Sequence, residues 1–214
     1  MKQFIDEKYV SNYLEDIRTK IPGYNLMFEL VFDSVLPTVI HGSVPQNILL
    51  VGGGIVEIDY LKSQYSSVPL TIIEASREML KAYQNSLGNS KAELINARFE
   101  EYELAQRYSF GFSFLVFHFV SNKRLFLKKM YDSLVSNGFF IVSVFSDYHL
   151  DWWKEFSLSK GADSNQIDLA IKNENNYMYR LESEEVRNMI LEAGFKKVEM
   201  ISQILCVDLL IATK

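Results

Sequence analysis

The sequence predicts an α/β fold: a doubly wound, mostly parallel, seven-stranded sheet with a C-terminal antiparallel hairpin and an N-terminal helical lid. Two observations predict the sheet. Short apolar runs alternate with helical patterns, and two adjacent apolar runs stand at the end of the sequence. A third observation is that Gly52-Gly53-Gly54 follows one apolar run, and that Glu74 ends the next apolar run, 22 positions after Gly52. This order is typical of a sheet that binds an adenosine-containing ligand.

Length and composition predict a single domain over residues 1–214. The chain has 214 residues, of which 48% are apolar, and it contains no repeat and no linker rich in proline, glycine and serine. A core of useful size is therefore expected within one folding unit.

Charge and composition also exclude several classes of partner. The net charge is −5 without a basic cluster, which argues against nucleic acid. Apolar runs are shorter than the about 20 residues that span a membrane, and the N-terminus lacks the apolar stretch of a secretory signal. Cys206 is the single cysteine, so no internal disulfide is possible. We expect a cytoplasmic protein without a metal site, and a homodimer is compatible with the sequence.

The N-terminal region is predicted to be helical. Residues Phe4 to about Lys20 mix charged and apolar side chains. A second helix follows Pro22-Gly23, and Pro37 is expected to end it. Its apolar residues repeat at intervals of three and four: Leu26, Met27, Leu30, Val31 and Val35. Residues 1–40 are therefore expected to form a lid or flank.

Seven strands are predicted from short runs of apolar, β-branched and aromatic residues. In chain order they are Asn47 to Val51, Leu70 to Glu74, about Ala92 to Asn96, Tyr108 to Phe117, Phe139 to Phe145, Lys196 to Ser202 and Ile204 to Ala212. The last two are close enough in sequence to form an antiparallel hairpin.

Helices fill most of the gaps between these strands. The helix after the second strand has Ser76 as its N-cap and Gly88 just beyond its end. Its inward residues are Met79, Leu80, Tyr83 and Leu87. Further helices are predicted from about Asn122 to Val135, before the Asn137-Gly138 stop, and from Ser183 to Ala193, before Gly194.

Several segments, taken together and in order, match motifs of a known family. They are Ile48 to Val56, Ile73 to Leu80, Val116 to Val120, Leu134 to Phe139 and Glu192 to Phe195. This series resembles the class I S-adenosylmethionine-dependent methyltransferases, whose sheet is Rossmann-like. The segment Ile21-Pro22-Gly23-Tyr24 is also similar to one in small-molecule methyltransferases and in the carboxy-S-adenosylmethionine synthase branch. The resemblance implies S-adenosylmethionine as cofactor and methyl transfer to a small molecule.

The resemblance also implies which residues contact the cofactor. The glycine turn would let the main chain approach the ligand, and Glu74 would accept hydrogen bonds from the ribose hydroxyls. The predicted cofactor-binding residues are Tyr24, Gly52, Gly53, Gly54, Glu74, Ala75, Met79, Arg98, Phe99 and Phe117. Structural alternatives stay open: Met79, Tyr24 and Phe117 are equally compatible with core packing, the three glycines with a tight strand-to-helix turn, and Glu74 with a solvated strand end.

Four positions depart from the family pattern. The acid normally found inside the first strand is Leu50, and Val56 takes the place of the third glycine. Acids that usually follow the third strand and open the fourth are replaced by Arg98 and Ser109. A guanidinium has donors only, so Arg98 could not accept the adenine amino proton as a carboxylate does.

Catalysis and acceptor binding are assigned to two later segments. His118 is the candidate base, since the end of the fourth strand faces the methyl group in related enzymes and imidazole titrates near neutrality. A histidine that caps the strand is the structural alternative. Residues 146–180 are expected to form a substrate lid, in which His149, Trp152 and Trp153 would line a pocket for an apolar or aromatic acceptor. The alternative is that the tryptophans simply seal the lid.

Three functional classes stay open. A methyltransferase acting on a small molecule comes first. A methyltransferase-like protein that binds the cofactor but catalyses another step, or is an inactive partner subunit, comes second because of the missing acids. A nicotinamide-dependent oxidoreductase comes third, since the chain has no Tyr-x-x-x-Lys pair and Glu57 stands where Gly-x-Gly-x-x-Gly needs its last glycine.

Overall fold

The computed structural model describes residues 16–42, 44–88, 92–173 and 178–214, which contain one seven-stranded sheet. Its strands are β1 (Ile48–Val51), β2 (Leu70–Glu74), β3 (Ala92–Asn96), β4 (Tyr108–Phe114), β5 (Leu134–Phe145), β6 (Lys197–Ile204) and β7 (Val207–Thr213). Their order across the sheet is β3-β2-β1-β4-β5-β7-β6. Strands β1 to β5 are parallel, whereas β7 is antiparallel to β5 and β6. The predicted sheet and terminal hairpin are confirmed.

Helices cover both sides of the sheet. Helix α1 has three consecutive segments, Tyr24–Glu29, the π-helical Leu30–Val35, and Leu36–Ile40. The others are α2 (Ile55–Tyr65), α3 (Arg77–Leu87), α4 (Lys123–Ser133), α5 (Leu150–Ser159), α6 (Ser164–Lys172) and α7 (Ser183–Glu192). Short 3-10 turns occupy Phe99–Glu101 and Phe117–Phe119. Within the described ranges, no helix is long and apolar enough to cross a membrane.

The core lies in two layers, one on each face of the sheet. Helices α1, α2 and α3 pack on one face, and α4 and α7 pack on the other. Phe28 of α1 is fully buried and meets Phe114 edge to face with ring centroids 5.1 Å apart. Residues 24–40 are therefore part of the core, and the lid role of residues 1–40 stays a prediction.

Several element boundaries differ from the predicted ones, and β5 begins at Leu134 rather than Phe139. Strand β4 ends at Phe114 rather than Phe117, because Leu115 adopts a φ of 54° that breaks the extended backbone. Helix α1 continues beyond Pro37 to Ile40, since the preceding π-helical segment already shifts the hydrogen bonding and the Leu36 N–H donates to the carbonyl of Val31. The helix predicted to reach Val135 ends at Ser133, where β5 begins. Residues 4–15 of the first predicted helix lie outside the described residues, and 16–20 are helical.

The strand order places a crevice at the centre of the sheet. Strand β1 pairs with β2 on one side and with β4 on the other, and the connections leave in opposite directions. In open α/β sheets, ligands bind outside the carboxyl ends of the strands at this type of reversal.

Candidate active site

A cleft of about 510 Å³ opens at the carboxyl ends of β1, β2 and β4. The glycine turn after β1 and the end of β2 form one wall, and residues 97–100 and 114–116 contribute much of the remainder. The cleft therefore lies at the reversal of strand order described above. It brings together the two features that the sequence singled out, Gly52-Gly53 and Glu74.

The glycine turn presents bare backbone to this cleft. Gly52 has a φ of 65° and Gly53 a φ of 107°, which are left-handed values that favour glycine. A Cβ atom on Gly52 would lie 2.6 Å from a methyl of Val116. The Gly52 N–H donates to the carbonyl of Ile73 at 2.8 Å, which ties the turn to β2.

The Glu74 carboxylate is held at the end of β2. One oxygen, Oε1, accepts a hydrogen bond from the Ser76 N–H at 2.7 Å. Burial raises the pKa of Glu74, and the hydrogen bonds from Ser76 and Tyr83 oppose that rise. The carboxylate is thus fixed in direction rather than free in solvent.

Tyr83 links the glycine turn to the end of β2, a contact that the sequence analysis did not predict. Its hydroxyl lies 2.7 Å from the Gly53 carbonyl oxygen and 3.4 Å from Glu74 Oε2. A tyrosine hydroxyl has one hydrogen, so the shorter bond to Gly53 is the principal one. The helical spacing predicted only that Tyr83 faces inward, because the partner depends on how α3 packs against the turn.

Glu57 is a second residue whose role the sequence analysis missed. It lies in the first turn of α2, is 2% exposed, and accepts the Gly54 N–H at its Oε1 at 2.8 Å. Burial raises the pKa of Glu57 to about 7. A glutamate three residues after an N-cap is a known capping signal, so the pattern Gly54-x-x-Glu57 could have revealed this bond.

Four of the predicted adenine-side residues line the cleft: Ala75, Met79, Arg98 and Phe99. Met79 and Phe99 are buried and apolar, so they suit the faces of a purine ring. The Arg98 guanidinium is half exposed and lies 3.7 Å from Glu101 Oε1. It has donors only, so it cannot accept a hydrogen bond from the adenine amino group.

Three other predicted cofactor residues lie outside the cleft lining. Phe117 is buried against Phe126, with ring centroids 5.6 Å apart. Tyr24 is buried in α1 and meets Phe28 edge to face at 5.1 Å. Gly54 has a φ of −133° and serves as the N-cap of α2. All three have structural roles in this arrangement.

His118 is also placed away from the cleft lining. It is 5% exposed, and its Nδ1 accepts the Phe145 N–H at 3.3 Å. Burial, and then the cations Lys123 and Arg180, lower the pKa of His118 to about 3. The ring is therefore neutral at pH 7, carries its hydrogen on Nε2 and has its lone pair already engaged. This placement favours the structural alternative over a general base.

The predicted acceptor residues divide between core and surface. Trp153 is buried, packs edge to face on Phe145 with centroids 4.8 Å apart, and donates its indole N–H to the Lys20 carbonyl. Trp152 is 59% exposed and stacks on His149, with ring centroids 3.9 Å apart. The exposed Trp152 and the half-buried His149 lie just after β5, and neither belongs to the lining of the cleft.

The residues present fit an adenosyl group. Side-chain-free backbone, two buried apolar side chains and an oriented carboxylate share one cleft. A Cβ on Gly52 would intrude on Val116, so this part of the cradle depends on glycine. Within the described part of the chain, no group of three or more His, Cys, Asp or Glu residues could hold a metal ion.

Comparison with known proteins agrees with this geometry. Residues 50–142 match the family model of a methyltransferase domain. That segment runs from β1 into β5 and contains the glycine turn, Glu74 and Tyr83. No curated protein sequence matches the chain.

Solved structures with a similar fold are methyltransferases. The plantazolicin methyltransferase BpumL, in complex with a monoazolic desmethylPZN analog and SAH, is 17% identical with a TM-score of 0.75, over 98% of this chain and 90% of that chain. NodS, an N-methyltransferase from Bradyrhizobium japonicum WM9, is 13% identical with a TM-score of 0.59, over 90% of this chain and 97% of that chain.

A third structure is phosphoethanolamine N-methyltransferase 2 from Haemonchus contortus in complex with S-adenosyl-L-methionine. It is 14% identical with a TM-score of 0.69, over 93% of this chain and 44% of that chain. At these identities the likeness shows the fold, and the predicted class I fold is confirmed. The narrower branch that the sequence suggested stays a prediction.

Proposed function

We propose that this chain, which carries a methyltransferase domain on the class I S-adenosylmethionine-dependent fold, transfers a methyl group from S-adenosylmethionine to a small-molecule acceptor. One observation carries the proposal: the Gly52-Gly53 backbone and the Glu74 carboxylate line the same cleft. Bare backbone and an oriented acid at adjacent strand ends are what an adenosyl ligand requires.

The protein's contribution to such a reaction is binding and orientation. S-adenosylmethionine, when bound, supplies a methyl group that its sulfonium has already activated. Glu74 would accept hydrogen bonds from the ribose hydroxyls, and Met79 and Phe99 would flank the adenine. Aligning acceptor, methyl carbon and sulfur while excluding water can contribute about 7 to 11 kcal/mol. No side chain needs to form a covalent bond.

An acceptor with a planar aromatic part suits the chain best. The exposed Trp152 stacks on the half-buried His149 just after β5. Tyr148 adds a third ring, 4.0 Å from His149. BpumL, of similar fold, was crystallised with a monoazolic desmethylPZN analog. An acceptor with a planar ring would be able to stack on Trp152 and Tyr148.

A second candidate function retains the cofactor without methyl transfer. Leu50 and Arg98 favour it, since each stands where the family pattern has an acid. Detection of S-adenosylhomocysteine by mass spectrometry, after incubation with candidate acceptors, separates the two functions. Cofactor binding without this product, across aromatic acceptors, would favour the second.

We also propose a cytoplasmic location and no nucleic-acid partner. The net charge of −5 and the single cysteine support this proposal. Imaging of a tagged protein, compared with membrane and secreted fractions, tests the location. Sedimentation analysis tests the homodimer, which stays a prediction.

Calorimetry with S-adenosylmethionine and, separately, NADH tests the cofactor. The proposal predicts binding of the sulfonium compound and none of the nicotinamide. Glu74→Ala should weaken binding by about 1 to 3 kcal/mol, because the ribose hydroxyls lose their acceptor. Glu93→Ala, which removes an exposed carboxylate from neighbouring β3, is the matched control and should bind normally. Unchanged affinity in Glu74→Ala would place the ligand elsewhere.

A further inference from the structure

Glu57 lies directly against the glycine turn and is not part of the cleft lining. Its Oε1 accepts the Gly54 N–H at 2.8 Å, and an ideal Cβ on Gly53 would be only 2.7 Å from the same oxygen. The carboxyl group therefore supports the two turn residues from behind. Because the turn lines the cleft, a ligand resting on it would be separated from this carboxyl by little more than the backbone.

The helix cap alone does not explain why this residue is an acid. Glu57 is 2% exposed, and its other oxygen, Oε2, has no hydrogen-bond partner among the described residues. Burying a carboxylate without a partner is costly, whereas a glutamine could accept the same N–H as a neutral group. A cation that approaches the turn would offset this cost.

The surroundings of Glu57 in the described structure supply no such cation. From its own helix, Asp59 is the charged group that acts on it. Tyr83 of α3 bonds the Gly53 carbonyl of the turn, and Glu74 of β2 lies beside the Tyr83 hydroxyl. Tyr83 is neutral and Glu74 is acidic, so neither is a cation. Leu50 of β1 and Val116 after β4 are apolar neighbours of the turn. The missing charge would then have to come from a ligand.

We propose that Glu57 is a positioning residue, whose buried carboxylate fixes the glycine turn and attracts the cationic methionine part of S-adenosylmethionine across it. This inference rests on the proposed function, because it needs the cofactor on the turn. The sulfonium and the ammonium of the cofactor are both positive, and attraction through poorly hydrated protein is only weakly screened. Glu57 thereby provides, from α2, a negative charge that Leu50 cannot provide from β1.

Proton linkage gives this role a signature that simple structural support lacks. The Glu57 carboxyl has a pKa of about 7 in the free protein, so it is partly protonated near neutral pH. A nearby cation favours the ionised form and lowers the pKa, so binding releases a proton. Affinity then rises as the pH increases from about 6 to about 8, by up to about tenfold, and levels off above the pKa of the free protein.

Calorimetry with S-adenosylmethionine at pH 6, 7 and 8, in two buffers of different ionisation enthalpy, tests the proposal. The intact protein should release a proton near pH 6.5 and bind more tightly at pH 8. Glu57→Gln, which keeps the acceptor for Gly54, should lose that proton release and bind about tenfold more weakly at pH 8. Glu93→Gln removes an exposed carboxylate from β3, outside the cleft lining, and should behave like the unmodified protein.

Each other outcome has a defined meaning. Equal affinity and equal proton release in Glu57→Gln would overturn the inference and leave the proposed function intact. No proton release and a flat pH dependence in the intact protein would do the same, and this readout does not depend on whether the variant folds. Failure of the intact protein to bind S-adenosylmethionine would reject the proposed function itself, and the inference with it.

Discussion

The Tyr83 hydroxyl couples the glycine turn after β1 to the end of β2. It donates to the Gly53 carbonyl and lies within 3.4 Å of Glu74 Oε2, so one side chain from α3 fixes the turn after β1 relative to the acid of β2. Since Tyr83 is fully buried, this bond is shielded from water. The separation of backbone and acid, on which ribose binding depends, is therefore set by a residue that does not line the cleft.

Replacing Tyr83 with phenylalanine should expose this coupling. Tyr83→Phe leaves the Gly53 carbonyl without its donor, so we expect S-adenosylmethionine to bind about tenfold more weakly, equivalent to about 1.4 kcal/mol, in calorimetry. Tyr108→Phe is the matched control, because it removes a buried hydroxyl that bonds Thr71 away from the cleft. Equal affinities in the two variants would show that Tyr83 has only a structural role.

The sequence predicted single residues where spacing alone determines their position. Gly52 and Glu74 end consecutive parallel strands, so their proximity follows from the order of elements. Tyr83 and Glu57 could not be assigned in the same way, because their partners depend on how a helix is rotated over the turn. His118 is the ambiguous residue, since its residue type suggests a base while its depth and its bond from Phe145 favour a structural role, and its catalytic role stays a prediction.

The 3-10 turn after β4, Phe117–Phe119, begins at a residue that was predicted to end the strand. Its apolar residues extend the pattern of the strand, but the positive φ of Leu115 ends the strand first. The turn is stabilised from two directions. Lys123 donates to the carbonyls of Phe117 and Val120, and His118 accepts the Phe145 N–H.

A substitution at His118 tests this view of the turn. In His118→Asn the amide oxygen can still accept the Phe145 N–H, so we expect kcat for the best acceptor to change by less than about threefold. Loss of a general base would instead lower kcat by about 10² to 10⁴. The pH profile between 5 and 8 should also be unchanged, because the lowered pKa of about 3 keeps the ring neutral over this range. A hundredfold loss of kcat would contradict this view and support His118 as the general base that the sequence predicts.

The arrangement of the whole chain follows from alternating patterns and one terminal hairpin. The mostly parallel sheet and its terminal hairpin were predictable, because strands joined through helices run parallel and strands joined by a short turn run antiparallel. The π-helical segment of α1 could not be predicted, since it depends on how Phe28 and Phe32 pack against β4. Nor could the separation of Trp152 from Trp153, one exposed and one buried, be assigned to particular residues before the fold was known.

A crystal structure of the protein with S-adenosylhomocysteine tests the central claim most directly. The account predicts that the adenosyl group lies on the bare backbone of Gly52 and Gly53, with its ribose hydroxyls bonded to Glu74. Adenosine bound at another site, with the Gly52-Gly53 cleft empty and Glu74 bonded only to Ser76 and Tyr83, would contradict it.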